Sequence, residues 1–113
     1  MNLRNLTSTT LRKRRNKLAH SLPPIEELLR GSLIETYKRC GRPNCHCADG
    51  RGHGPKRYLS VSQPGTRAQT GYIPNAAYPQ VAQFVDNFRQ LRQLLDEICA
   101  INTELLRRRE DLG

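Results

Sequence analysis

The sequence predicts an α+β chain: a three-stranded antiparallel sheet with a cysteine-rich first connection, a long coiled-coil-like C-terminal helix after it, and short helices at the N-terminus. Three observations carry this expectation. Residues from Val81 to Leu105, apolar except for Asn102, recur at alternating spacings of three and four, the period of a helix seam. Three short runs at 32–39, 56–62 and 67–73 have the composition of strands and are separated by loop-forming residues. Cys40, Cys45 and Cys47 fall within eight positions among glycines and prolines, which propagate neither a helix nor a central strand. The chain thus divides into a basic arm or helix at 1–22, a short helix and sheet at 23–75 with the cysteine loop at 40–55, and a long amphipathic helix at 76–113.

In the first segment, Leu3, Leu6, Leu11 and Leu18 are scattered among polar residues, and Arg12, Lys13, Arg14, Arg15 and Lys17 form a cluster. Thr7, Ser8, Thr9 or Thr10 is a suitable cap for a helix from about Leu11 to His20, because a hydroxyl accepts the first free backbone N–H groups. So few apolar positions predict a frayed basic arm that orders on phosphate. The alternative is a helix docked through its leucines on the C-terminal one.

Ser21-Leu22-Pro23-Pro24 breaks this helix. A short helix is expected over 25–30, with acids at its positive end and Gly31 to stop it. The first strand then enters the cysteine loop at Cys40, the second runs over 56–62, and Gln63-Pro64-Gly65-Thr66 turns the chain into a third that Pro74 stops. Alternation puts Arg57, Leu59 and Val61 on one face of the second strand, expected to pack on the long helix. Lys56, Tyr58, Ser60 and Ser62 share the other, where Tyr58 between basic and hydroxyl groups suits nucleic acid. The plain reading of any one of Tyr37, Tyr58 and Tyr72, ahead of a nucleic-acid contact, is a half-buried tyrosine packed at the sheet edge.

The helical seam assigns Val81, Phe88, Leu95 and Asn102 to a positions and Phe84, Leu91, Ile98 and Leu105 to d positions, with Asn102 where a buried amide fixes register. Val85, Leu94, Cys99, Ile101 and Leu106 broaden the stripe, so the helix is expected to cover the sheet and then meet the N-terminal arm or a second copy of the chain, as a homodimer. Cys99 is expected to be a small buried residue. Arg107, Arg108 and Arg109 suit the negative helix end without any further partner.

The cysteine loop spells C-x4-C-x-C-x5-H through Cys40, Cys45, Cys47 and His53. Thiolates and an imidazole on a tightly turning backbone suit Zn2+, which takes four such ligands in a tetrahedron. A loop of this length also needs something to offset the entropy of ordering it. These four residues are the expected ligands, with His46, Asp49 and Cys99 as substitutes for His53. The alternatives are structural thiols without metal, a redox pair of Cys45 and Cys47, or an iron–sulfur cluster, whose fourth thiolate would be distant in sequence.

A net charge of +9 is unevenly distributed: residues 1–20 hold six Lys or Arg and no acid, 21–75 eight against four, and 76–113 five against six. Such basicity points to a polyanion, with a merely solvated basic surface as the plain alternative. No secretory signal or bilayer-length apolar run is present, so a cytoplasmic protein with reduced thiols and no membrane partner is expected. With 36% hydrophobic residues, two Phe and no Trp in 113 residues, a metal, a dimer or a partner is expected to add stability.

The run from Leu29 through Cys40-Gly41, with its C-G-x-x-x-C-x-C loop, then His53-Gly54-Pro55 and Tyr72-Ile73-Pro74, resembles a family of small bacterial proteins described only as a domain of unknown function. The resemblance spans about residues 28–107 and implies no particular chemistry. Three strands followed by a helix are also similar in architecture to the small DNA-binding domains at the front of phage-type integrases.

These readings converge on a zinc-stabilised basic protein that binds nucleic acid, DNA ahead of RNA, as an accessory or regulatory factor of a mobile element or phage. Arg12, Lys13, Arg14, Arg15 and Lys17 would neutralise phosphates. Lys38, Arg39, Arg42, Arg51, Lys56 and Arg57 would position the loop and strands, with Tyr58 on the contacting face. The alternative is a non-enzymatic adaptor that engages a partner protein through the coiled-coil helix. An enzyme is not expected, since paired carboxylates, a phosphate-cradling glycine motif and a Ser/His/Asp set are all missing, and only Asp49 or His46 could serve a catalytic zinc as base.

Overall fold

The computed structural model describes residues 2–38 and 53–113, the side chain of His53 apart. The chain divides into two compact units, Met1–Leu28 with Asp86–Gly113, and Leu29–Val85.

In the first unit, a 3-10 turn over Leu3–Asn5 precedes helix α1, Ser8–Ala19. Thr7 is its cap: the Oγ1 accepts the Thr10 N–H at 3.2 Å and donates to the Thr10 hydroxyl at 2.8 Å. Leu6, just before the cap, and Leu11, on the fourth helical residue, belong to one apolar cluster and staple the helix start. Leu11 is buried with Ile101 and Leu105 of the long helix α2, Tyr78–Arg107, and Leu3, Leu6 and Leu18 pack around them. The expected frayed arm is therefore a docked helix. Part of its apolar face comes from the turn that precedes it, which is why the leucines looked sparse.

Helix α2 ends where Arg109 takes a left-handed φ of 60°. The Glu110 N–H reaches the Leu105 carbonyl at 3.1 Å and the Arg109 N–H reaches Leu106 at 2.9 Å, the paired bonds of a Schellman cap.

The expected helix over 25–30 is a turn, closed by the Glu27 N–H on the Pro24 carbonyl at 3.1 Å. The Leu29 N–H, which a helix would direct to Ile25, donates instead to the Phe84 carbonyl at 3.2 Å. Six residues after two prolines form too short a helix to outweigh such bonds. The Glu27 carbonyl is likewise taken, by the Asn87 side-chain amide at 3.0 Å.

The second unit is the antiparallel meander: β1 (Ser32–Lys38), β2 (His53–Val61) and β3 (Gln69–Ile73), in spatial order β1-β2-β3. β2 begins three residues earlier than its composition suggests. The ladder shifts between Thr36 and Lys38, so that Gly54 and Pro55 face one residue of β1 and His53 pairs with Lys38. Such a bulge is where a proline, lacking an N–H, is tolerated. Gly54, at φ 149°, leaves no room for a side chain, since a Cβ would lie 2.7 Å from the Thr36 carbonyl oxygen. Gly31, at φ 151°, would similarly meet the Ser60 carbonyl oxygen at 2.9 Å. Among the described residues of this unit, Ile73 and Val85 are the buried apolar side chains.

Candidate nucleic-acid interface

Pairing of the three strands distributes side chains on two faces. On one, Arg57 of β2 lies opposite Glu35 and Ile73. Its Nε donates to Glu35 Oε1 at 3.1 Å, and its guanidinium carbon sits 3.8 Å from the centre of the Tyr78 ring. Arg57 is thus engaged within the unit by an ion pair and a cation–π contact, on the face away from Lys56 and Tyr58.

The other face is ordered in rows by register. Ser32, Ser60 and Thr70 form a hydroxyl row; Ile34, Tyr58 and Tyr72 an apolar and aromatic row; Thr36 and Lys56 a third. Tyr58 and Tyr72 meet edge to face, with ring centres 5.8 Å apart and planes at 69°. Tyr72 is 58% exposed and Ile34 38%. Lys56 is exposed, as is Lys38 at the end of β1. None of the strand residues in these rows is acidic.

The basic cluster of α1 separates into two kinds of residue. Arg12 pairs with Glu110 at 3.3 Å and donates to the carbonyls of Asp111 at 2.6 Å and Gly113 at 3.0 Å. Arg14 lies 3.7 Å from Glu97. Arg15 donates to the Asn102 side chain at 2.8 Å and to the Leu112 carbonyl. Lys13 and Lys17 are exposed and make no ion pair among the described residues. The arginines therefore hold the end of their own unit, and the lysines carry the cluster's outward charge.

Composition alone does not reveal the polar latch at the end of α2. Glu104, only 7% exposed, accepts from Arg107 Nη2 at 2.6 Å and from Arg108 Nε at 2.7 Å. Arg108 reaches on to the Ser8 hydroxyl and the Leu3 carbonyl, both at 3.1 Å. Hydrogen bonds from Arg107 and then Arg108 hold the Glu104 carboxyl down to about 2. The i, i+3 and i, i+4 spacing of Glu104, Arg107 and Arg108 is the signal that marks them.

The seam of α2 differs from its sequence assignment. Ile101 and Leu105 are buried, whereas Leu95 is 48% exposed, and Asn102 is occupied by Arg15 of α1. Cys99, expected inside, is exposed. It lies roughly 200° around the helix from Ile101, the residue that α1 covers.

Cys40, Cys45 and Cys47, the substitute ligands His46 and Asp49, and Arg39, Arg42 and Arg51 lie outside the described residues. His53 is placed by its backbone, opposite Lys38, so the connection containing the cysteines joins two paired strand ends. Among the described residues no group of three or more His, Cys, Asp or Glu could hold a metal ion. Among them, too, no helix is long and apolar enough to cross a membrane.

No curated protein and no solved structure matches the chain. A family model does match, over residues 8–83, a span that takes in α1 and stops in the first turns of α2, rather than the 28–107 expected from the residues around the loop. The chain belongs to the family described as a domain of unknown function (DUF6788).

Proposed function

We propose that this chain is a zinc-stabilised, non-enzymatic nucleic-acid-binding protein, DNA ahead of RNA, whose contact surface is the open face of the sheet. The observation that carries the reading is the row of Ile34, Tyr58 and Tyr72 beside Lys56, on a face whose three rows contain no acid. A surface of this kind attracts phosphate and offers ring faces to bases. Arg39, Arg42 and Arg51 follow Lys38 in the connection to β2 and add charge at that end of the sequence. Zinc is supported by the spacing of Cys40, Cys45, Cys47 and His53 and by the pairing of Lys38 with His53, which closes the connection.

The test is fluorescence anisotropy of labelled DNA and RNA oligonucleotides titrated with the full chain at stepped salt. Affinity falls steeply with salt, and Lys56→Ala lowers the slope of log K against log salt by about 1. Absence of binding to DNA and RNA, single-stranded and duplex, at low salt would falsify the reading. A second reading, an adaptor that engages a partner protein, is favoured by Leu95 and Leu106, which α2 leaves 48% and 57% exposed. Recovery of one protein at fixed stoichiometry after nuclease treatment supports it.

A further inference from the structure

We propose that the open sheet face takes single strands: bases stack on Tyr72 and Tyr58, and the sugar–phosphate backbone crosses beside Lys56. This rests on the nucleic-acid reading above and narrows its ligand.

Geometry is the first argument. Adjacent strands lie about 4.8 Å apart, so the row formed by Ile34, Tyr58 and Tyr72 crosses the sheet within about 10 Å at right angles to the strands. In an edge-to-face pair the edge of one ring meets a face of the other without stacking on it, and Tyr72 remains 58% exposed. An exposed ring beside a second ring is a platform on which an unpaired base loses water and gains stacking. Within a duplex the base faces are already stacked on their neighbours and present only their edges.

Chemistry is the second. Readout of a duplex groove relies on long donors and acceptors, Arg, Asn or Gln, that reach base edges. The strands place none of these in the three rows of the open face, and the arginine of β2, Arg57, is on the opposite face with Glu35 and Tyr78. What the open face has is ring surface, short hydroxyls and ammonium groups. Lys56 sits two residues from Tyr58, about 7 Å along β2, a reach comparable to that between a nucleotide's base and its phosphate. Lys56 to one side of the rings and the uncharged row of Ser32, Ser60 and Thr70 to the other set the direction in which a strand would lie.

The experiment uses the full chain with three labelled probes of about twelve nucleotides, within the footprint of sheet-based single-strand binders: oligo(dT), oligo(U) and a DNA duplex. The chain has four Tyr and no Trp, so tyrosine fluorescence quenching reports stacking directly. The expected result is single-strand binding at least tenfold tighter than duplex, with quenching. Tyr72→Ala should weaken single-strand binding about tenfold, Tyr72→Phe should restore it, and duplex affinity should not move. The ratio of oligo(dT) to oligo(U) affinity identifies DNA or RNA as the source of the strand. Duplex binding as tight as single-strand, or Tyr72→Ala and Tyr58→Ala both without effect while Lys56→Ala weakens binding, overturns the stacking proposal and leaves the nucleic-acid reading standing. No binding to any probe overturns both.

Discussion

Glu104 is one carboxylate shared by two guanidinium groups, and the second of these, Arg108, carries the connection on to the turn before α1. A carboxyl whose folded pKa is depressed contributes stability that is fully present above its ordinary value and lost as protons refill it. For Glu104 that window runs from 4.5 down to about 2. Helicity followed by circular dichroism during acid titration should therefore fall through this range, and Glu104→Gln should remove much of that dependence while lowering stability near neutrality. The opposite sign is expected at Arg109, whose left-handed φ of 60° is strained for a residue with a Cβ. Arg109→Gly should raise stability by about 1 kcal/mol in urea unfolding. The sequence contained the Glu104, Arg107 and Arg108 spacing, but three consecutive arginines at a helix end are satisfied by the dipole alone, so the carboxylate was not needed to explain them.

At the level of elements, the most consequential contact is between α1 and the end of α2. Leu11→Ala should cost about 2–5 kcal/mol, and Thr7→Ala about 1 kcal/mol through the lost cap, both measured by thermal or urea melts. Gly54→Ala would drive a Cβ to within 2.7 Å of the Thr36 carbonyl oxygen and should uncouple the start of β2 from β1. Slowed amide exchange in β1 and β2 would be the sign that the sheet tolerates it. The three strands and α2 were legible because composition and period are local properties of each. The turn at 25–27 was not, because the Leu29 N–H is satisfied by Phe84, a partner 55 residues away in sequence. Docking of α1 was half legible: its leucines were visible, but Leu3 and Leu6 lie outside the helix whose face they complete.

For the whole molecule, the charge of +9 is the excess left after every acid has been set against a base. Arg12, Arg14, Arg57, Arg107 and Arg108 are paired with carboxylates of the same chain, whereas Lys13, Lys17, Lys38 and Lys56 are exposed and contribute to the outward field. The rows of the candidate face were readable in part from the alternation of Lys56, Tyr58 and Ser60. Partnership of Tyr58 with Tyr72 and Ile34 required the register. On the zinc reading proposed above, a chelator should lower the melting transition of the sheet unit and spare the helical unit, a difference that amide exchange resolves.

An exposed Cys99 has a further consequence for the bench. Its thiol offers an internal standard for alkylation that tests the zinc reading proposed above: on that reading, in untreated protein Cys99 should react quickly with a maleimide while Cys40, Cys45 and Cys47, as metal thiolates, would lag behind it. Chelation should bring the rapid count to four, and Cys99→Ser should reduce the untreated count to zero, so mass shifts on the intact chain would report loading of the loop molecule by molecule.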